Sequence, residues 1–367
     1  MKKTETKYRF LFAGGGTGGH LFPAIAVAEK IKMLKPESEF LFLGTKSKIE
    51  AVVVPKLGYN FKTIWIKGVA RRFDVRNFLF PLKLAVSLVQ SLWINIRFKP
   101  NVAIGSGGYV SGPAVWGASV MGAKVILLEQ NSYPGITTRL LEKKAAEIHL
   151  SFEDSRKYLK DPSKLFVTGN PVRSSLQLEE KSGALKKFNL TEGKKTVLIL
   201  GGSLGARSLN EAVARAIPAF VKNDIQVIWQ TGKNYFETYK SLQAPSVWLN
   251  PFIEDMGAAF SACDLLISRA GATTIAEITM LGIPTIFVPS PNVAANHQYL
   301  NAKSLSDKDA AILQPDNKVS EELAEKVLEV IFDGNRLGKL SNNVKLFGKP
   351  DAALIVAQNA IKLAESL

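Results

Sequence analysis

Short apolar runs alternate with segments of helical period from one end of the chain to the other. Residues 10–13, 40–43, 102–104 and 125–128, then 197–200, 227–229, 265–267 and 285–288, read as buried strands. Between them, residues 24–34, 113–121, 209–221 and 274–281 read as helices. Strands and helices in alternation predict parallel sheets covered on both faces. The pattern breaks between residues 170 and 195, where Gly169-Asn170-Pro171 and a lysine-rich stretch intervene before a new strand begins. Each half opens in the same way, with a strand, then glycines, then a helix. The expected fold is therefore α/β, as two Rossmann-like domains facing across a cleft. A last helix, 352–366, follows Pro350, and its periodicity does not say which domain it packs on.

Composition adds limits to this picture. With 367 residues, 46% of them apolar, the chain can fill two cores. Lys and Arg outnumber Asp and Glu by 47 to 32, which favours anionic partners without choosing among phosphates, nucleic acid and acidic lipid. A lone Cys263 excludes an intramolecular disulfide and suits a buried thiol. His20, His149 and His297 show no metal-ligand spacing, so no structural metal is expected. The basic N-terminus meets glycines too soon for an export signal. The greasiest segment, 77–98, is broken by Pro81, Lys83 and Arg97, so any membrane contact is expected to be peripheral. Within 67–99, Lys67, Arg71, Arg72, Arg76, Lys83, Arg97 and Lys99 are interleaved with Phe73, Phe78, Leu79, Phe80 and Trp93 against one acid, Asp74. That mixture suits a surface resting on anionic headgroups, although much of 84–96 reads as an ordinary core-facing helix.

The candidate chemistry sits in glycine-rich loops. Gly14-Gly15-Gly16-Thr17-Gly18-Gly19-His20 follows a strand and leads into a helix expected to carry Pro23 in its opening turn. Such a loop lets the backbone approach an anionic ligand, and Gly14, Gly16 and Gly19 formally satisfy the dinucleotide fingerprint. That fingerprint also needs an acid at the tip of the second strand, where Gly44-Thr45-Lys46 offers none. His20 is either the general base for an acceptor hydroxyl or a locally packed histidine with no identifiable orienting carboxylate. A second cluster, 105–112, with Gly107, Gly108 and Tyr109, either binds a further anionic group or makes a closely packed turn.

In the second half, Gly201-Gly202-Ser203-Leu204-Gly205-Ala206-Arg207 repeats the device, with Arg207 either near phosphate or simply solvated. The stretch from Ser268 to Glu277 is the most informative. A helix starting near Ala272 or Thr273 turns free N–H groups and the hydroxyls of Thr273 and Thr274 toward a diphosphate, with Arg269 nearby. Glu277 then suits vicinal ribose hydroxyls, its alternative being a first-turn acid placed by the helix dipole. This is nucleotide-sugar chemistry. A nucleic-acid-binding protein would explain the charge, but the glycine loops argue against it, and a UDP-sugar epimerase would need no lipid acceptor.

At these residues the chain resembles the peptidoglycan N-acetylglucosaminyltransferases of the MurG family. These add N-acetylglucosamine to the undecaprenyl-diphosphate muramyl-pentapeptide, lipid I, and make lipid II. The motifs occur in family order: Gly15 to His20, Gly107 to Pro113, Glu129-Gln130-Asn131, Gly169 to Arg173, Gly201-Gly202-Ser203 and Gly271 to Glu277. The resemblance implies the GT-B fold and inverting transfer to the muramyl 4-hydroxyl, with no cofactor or bound metal. It implies that residues 1–170 with the helix 350–367 take the acceptor at the cytoplasmic face of the membrane. Residues 171–349 would then take UDP-N-acetylglucosamine. Thr17, Gly18, Gly19, Asn131, Arg173, Ser203, Ile253 and Gln298 would contact the donor and Glu277 its ribose. Three positions depart from patterns seen in some members: Leu128 where a histidine often stands, Leu204 where a glutamine does, and His297 in place of the first of two glutamines.

Overall fold

A computed structural model of the chain describes residues 7–68, 78–173 and 176–367. Of the basic segment, Arg71, Arg72, Phe73, Asp74 and Arg76 lie outside the described residues. By its internal contacts the chain divides into two units, Met1–Arg173 with Lys349–Leu367, and Ser174–Gly348.

In the first unit, strands β1 (Arg9–Gly14), β2 (Glu39–Gly44), β3 (Asn60–Thr63), β4 (Val102–Gly107), β5 (Lys124–Glu129), β6 (Glu147–Leu150) and β7 (Leu165–Val167) form one parallel sheet. Their order is β3-β2-β1-β4-β5-β6-β7. The helices are α1 (Gly18–Leu34), α2 (Glu50–Lys56), α3 (Phe80–Phe98), α4 (Ser111–Val120) and α5 (Ile136–Leu141). Alternation along β1 divides the core. Phe10 and Phe12 join the cluster of Ala24, Ala28 and Ile31 on α1, while Leu11 and Ala13 join that of Ala114, Val115 and Ala118 on α4.

The second unit holds α6 (Lys181–Lys187), β8 (Thr196–Leu200), α7 (Arg207–Lys222), β9 (Gln226–Gln230), α8 (Phe236–Tyr239), β10 (Val247–Asn250), α9 (Met256–Ala262), β11 (Leu265–Ser268), α10 (Ala272–Leu281), β12 (Thr285–Phe287), α11 (His297–Ser306), β13 (Ile312–Leu313), α12 (Val319–Ile331) and α13 (Gly334–Lys345). Its parallel sheet runs β10-β9-β8-β11-β12-β13, which counted from β8 is the order of the first unit again. Val197, Ile199 and Trp229 pack on Val213 and Phe220 of α7 and Leu323 and Val327 of α12. Cys263 follows α9, and burial, with the nearby charge of Asp264, pushes its thiol up to about 12, which makes it unreactive.

The last helix, α14 (Ala352–Glu365), packs on the first unit. Its Val356, Ala357, Ala360 and Ala364 share a cluster with Ala24, Ala28 and Ile31, and small side chains on both helices allow a close approach. Asn359 adds a polar tie, donating to Glu147 on β6 at 2.9 Å, where His149 Nε2 also meets the carboxylate at 3.0 Å.

Three details differ from the sequence reading. The short strands β3, β6, β7, β10 and β13 were not foreseen; β3 and β6 alternate polar and apolar residues, and the apolar runs of β7, β10 and β13 are two or three residues long. Helix α1 starts at Gly18, so Gly18, Gly19 and His20 form its opening turn and Pro23 lies in the second. Helix α3 is not an ordinary core-facing helix. Ser87, Ser91 and Asn95, spaced four residues apart, are its buried positions together with Ile94. Gly117 on α4 explains this, because a Cβ there would stand 3.1 Å from that of Ser91, and Asn95 donates to the carbonyls of Ser91 and Ala114. The apolar residues Leu82, Val89, Trp93 and Ile96 face outward instead, Val89 being 67% and Trp93 51% exposed.

Glu147 makes the α14 tie sensitive to pH. Burial pushes its carboxyl up, but the hydrogen bonds from His149 and Asn359, aided by the charge of Lys362, outweigh this and hold it below the ordinary value. A lowered folded-state pKa stabilises the fold above the unfolded value of about 4.3, and the gain is lost as pH falls through the folded-state value. Urea midpoints of wild type and Glu147→Gln should differ most near neutral pH and converge below about pH 4. A gap independent of pH would mean that the carboxylate charge contributes nothing to the tie.

Candidate active site

An open parallel sheet binds ligands beyond the carboxyl ends of its strands, where the strand order reverses. In the first unit that point lies between β1 and β4, and the glycine loops found in the sequence follow these two strands. The pairing of β1 with β4 slips by one residue at its end, setting Gly14 opposite Gly107. A Cβ on Gly14 would stand 1.8 Å from the Ser106 hydroxyl, so only a residue without a side chain fits against the second loop there.

His20 lies at this meeting point. Its Nδ1 is 3.0 Å from the Ser106 carbonyl and 3.2 Å from Gln130 Oε1. Gln130 donates its Nε2 to the Leu128 carbonyl at 3.2 Å, which turns the amide oxygen toward the ring. Both partners of Nδ1 accept, so Nδ1 carries the proton and Nε2 keeps the lone pair. The Ser106 hydroxyl returns a bond to the His20 carbonyl at 2.6 Å. Orientation that a carboxylate often supplies comes here from a backbone carbonyl and an amide.

Gly107 and Gly108 have local reasons to be glycine. At φ +98° and +78° they occupy the left-handed region, and a Cβ would meet His20 Nδ1 at 2.7 Å and the Gly15 carbonyl at 2.7 Å respectively. Tyr109 covers Gly16, with its hydroxyl 3.6 Å from where a Cβ would stand there. Burial, then the charge of Glu50, pushes the Tyr109 phenol up.

The structure also brings forward two acids without a role in the sequence reading. Glu50, the first residue of α2, binds the first glycine loop through the Gly16 N–H at 3.0 Å. Glu129, at the end of β5, accepts from Asn131 N, Asn131 Nδ2, Gly135 N and Thr138 Oγ1 at 2.6–3.4 Å. Glu129 thereby holds Asn131 in place, and Ser155 ties the Asn131 carbonyl at 2.9 Å. Nothing in the apolar context of Glu50, Glu-Ala-Val-Val-Val, signalled a polar role. Thr17 precedes α1 with an extended backbone and an exposed side chain that makes no cap. The Arg173 guanidinium stacks 4.4 Å from the centre of the Phe22 ring, and Phe22 in turn fills the space beside Gly18.

In the second unit the order reverses between β8 and β11, and again both following loops carry the motifs. Ser203 is exposed in a turn bounded by Gly202 and Gly205, both in the left-handed region. A Cβ on Gly205 would stand 2.3 Å from the Thr231 carbonyl, so this loop is pressed onto the one after β9. Arg207 is solvated and pairs with Glu211 at 2.8 Å. Helix α10 starts at Ala272, and its cap residue Gly271 offers no side chain, so the opening turn with Thr273 and Thr274 has no side-chain cap. Glu277 is buried in the second turn of α10, not the first, which removes the helix-dipole explanation of it.

Arg269 is held as a strut. It donates to the Val288 carbonyl and the Ser208 hydroxyl, each at 2.9 Å, and pairs with Asp316, to which Ser208 also donates. This joins the β11 loop to β12 and α7. Ile253 has a buried side chain, and its N–H goes to Gln230 Oε1 at 3.0 Å, leaving the carbonyl as its polar group for a ligand. Gln298 accepts from Ser290 N at 2.8 Å, which leaves its amide nitrogen as the donor end.

Comparison with known proteins places the chain in context. Residues 10–150 match the glycosyltransferase family 28 N-terminal domain and residues 196–356 the C-terminal domain of the same family. The chain is 42% identical over 363 residues to the UDP-N-acetylglucosamine–N-acetylmuramyl-(pentapeptide) pyrophosphoryl-undecaprenol N-acetylglucosamine transferase of Flavobacterium psychrophilum, with 98% of this chain and 99% of the relative covered. It is 42% identical over 370 residues to the protein of the same name from Bacteroides thetaiotaomicron, with 99% of each covered. Among solved structures it is similar to Acinetobacter baumannii MurG, at TM-score 0.76 and 27% identity over 97% of this chain and 100% of that one.

The hydrogen bonds around His20 determine its tautomer. Nitrogen-15 spectra of labelled histidine should show neutral His20 protonated at Nδ1. An Nε2–H signature would mean that the ring presents the wrong nitrogen for a base.

Proposed function

The chain belongs to the MurG family of the family 28 glycosyltransferases, and from that membership we propose that it transfers N-acetylglucosamine from UDP-N-acetylglucosamine to lipid I, giving lipid II for peptidoglycan synthesis. The observation that carries this is identity of 42%, sustained over 98% of the chain, to relatives named for that transfer. The two-unit α/β architecture is that of the GT-B fold, and the motifs fall at the switch point of each sheet.

In this reading the first unit takes the acceptor, with Gly107, Gly108 and Tyr109 lining its place, and the second takes the donor. His20 Nε2 removes the proton of the muramyl 4-hydroxyl, whose oxygen forms a bond to the anomeric carbon. The bond from that carbon to the diphosphate oxygen breaks on the opposite face, and UDP leaves with the electron pair, so the anomeric centre inverts. The opening turn of α10, with Ala272, Thr273 and Thr274, together with Ser203 and Arg173, meets the charge of the leaving diphosphate. Arg269 supports this from behind, by fixing the loop that feeds α10. Glu277 takes the ribose hydroxyls, and Gln298 and Ile253 the remaining polar groups of the donor. Thr17, Gly18, Gly19 and Asn131 are the donor contacts assigned to the first unit.

The acceptor is a lipid, and helix α3 supports a place for the enzyme at the cytoplasmic face of the membrane. No described helix is long and apolar enough to cross a bilayer. The outward face of α3 instead joins Val89, Trp93 and Ile96 to Arg97, which lies 3.8 Å from the centre of the Trp93 ring, and Lys83 and Lys62 also sit over tryptophans. Apolar side chains framed by bases suit an anionic headgroup layer.

UDP release from UDP-N-acetylglucosamine should require a short-chain lipid I analogue and persist in chelator. Release without the analogue would indicate a hydrolase or epimerase. His20→Ala should lower turnover by about 100- to 10,000-fold with little change in donor affinity, and an unchanged turnover would remove His20 from the role. Val89→Asp with Trp93→Asp should weaken binding to vesicles rich in anionic phospholipid by about tenfold or more. Unaltered binding would place the membrane contact elsewhere.

A further inference from the structure

Glu50 is 1% exposed, and its carboxylate joins the first glycine loop to the residue that follows β2. Its Oε2 accepts the Gly16 N–H at 3.0 Å, and its Oε1 accepts Thr45 N at 3.1 Å and the Thr45 hydroxyl at 3.0 Å. The surrounding chain is shaped to it. A Cβ on Gly15 would stand 2.6 Å from its carboxyl carbon, and one on Gly44 would stand 2.4 Å from its Cγ. Gly15 is thus required by this side chain, and Gly44 by it together with the Phe61 ring, 2.7 Å from the same Cβ; the glycine loop closes on Glu50 from one side and the end of β2 from the other.

The Thr45 hydroxyl gives its proton to Glu50 and also meets the Tyr109 phenol. The Tyr109 ring is laid across Gly16. The charge of Glu50 is one of the causes that push the phenol up, which keeps it a donor.

We propose that Glu50 is a positioning residue for the acceptor: it clamps the glycine loop at Gly16 and, through Thr45, aims Tyr109, so that both are set before the lipid arrives. This rests on the assignment of the acceptor to the first unit. The same geometry explains why the first glycine loop is not a dinucleotide site. The Gly16 N–H, which a nucleotide phosphate would otherwise take, is already bonded to an internal anion.

Two variants separate the parts. Glu50→Gln keeps the shape, but an amide cannot accept at both ends, so one of the Gly16 and Thr45 N–H groups meets an opposing N–H. Thr45→Val keeps the carboxylate and its bonds from the Gly16 and Thr45 N–H groups, and removes the hydroxyl that stands between Glu50 and Tyr109. Steady-state rates with UDP-N-acetylglucosamine and a short-chain lipid I analogue would be measured beside calorimetric UDP binding. The ultraviolet titration of Tyr109 would be isolated by subtracting Tyr109→Phe in each background.

In Glu50→Gln, kcat/KM for the analogue should fall by about 10- to 100-fold while UDP affinity stays within about twofold. Loss of the negative charge should move the Tyr109 titration to lower pH. Thr45→Val should show a smaller loss of the same kind, and it carries the test if Glu50→Gln does not fold. Unchanged acceptor kinetics would overturn the proposal, as would equal losses toward donor and acceptor with an unmoved Tyr109 titration. A wild-type protein that consumes the donor but ignores the analogue would instead overturn the transferase assignment itself.

Discussion

The side-by-side pairing of β1 with β4, repeated by β8 with β11, is the constraint on which the rest of the molecule depends. In a parallel sheet that grows outward in both directions from its first strand, the two βα loops at the reversal have no helix between them. Their backbones must come together, and only residues without side chains allow it. Gly14 facing Gly107 expresses this in the first unit; in the second, the tight contact is between the loop after β8 and the loop after β9, where Gly205 lies against the Thr231 carbonyl. The helices that start from these loops then carry functional groups on rigid supports, His20 in the first turn of α1 and Thr273 and Thr274 in the first turn of α10.

The two units resolve their loop N–H groups in opposite ways. The first satisfies them internally, with Glu50 on Gly16 and Glu129 on Asn131 and Gly135. Buried carboxylates are costly unless donors surround them, and each of these has three or more. The second spends its buried charge elsewhere, pairing Arg269 with Asp316 behind the loop, and gives α10 a glycine cap without a side chain. A diphosphate carries its own negative charge and suits the second arrangement. A sugar hydroxyl that must lose a proton suits the first, where an oriented imidazole stands among neutral partners.

Much of this was legible in the sequence because it depends on local pattern. Central strands such as 10–13 and 197–200 are apolar on both faces and announce themselves, and glycines directly after them mark the switch points. Among the edge and near-edge strands, β3 and β6 escaped because each carries only half an apolar face, and β7 and β13 because they are so short. Strand β6 reads Glu-Ile-His-Leu, and its Glu147 carboxylate binds both His149 Nε2 and Asn359, a partner 212 residues away in sequence. Glu50 was invisible for the same reason, since its partners come from loops before it in the chain and its own neighbours are valines. The start of α10 near Ala272 was legible, and counting from it sets Glu277 in the second turn, beyond the helix-end charge that offered its alternative reading.

Helix α3 shows how pattern can mislead even when the element is right. Leu84 to Ile96 has enough apolar residues for a core helix, and a core would normally claim Val89 and Trp93 for a gain of about 1.5–3 kcal/mol each. Here the docking surface on α4 is set by Gly117 and Ala114, which admits only small side chains at close range. Ser87, Ser91 and Asn95 fit that surface, and turning them inward necessarily turns the opposite face outward on a helix of period 3.6. In the membrane contact proposed above, that apolar area would be recovered when the face meets lipid. Inverted amphipathy follows from the small residues of a neighbouring helix, and it links the packing of α3 on α4 to the proposed lipid contact.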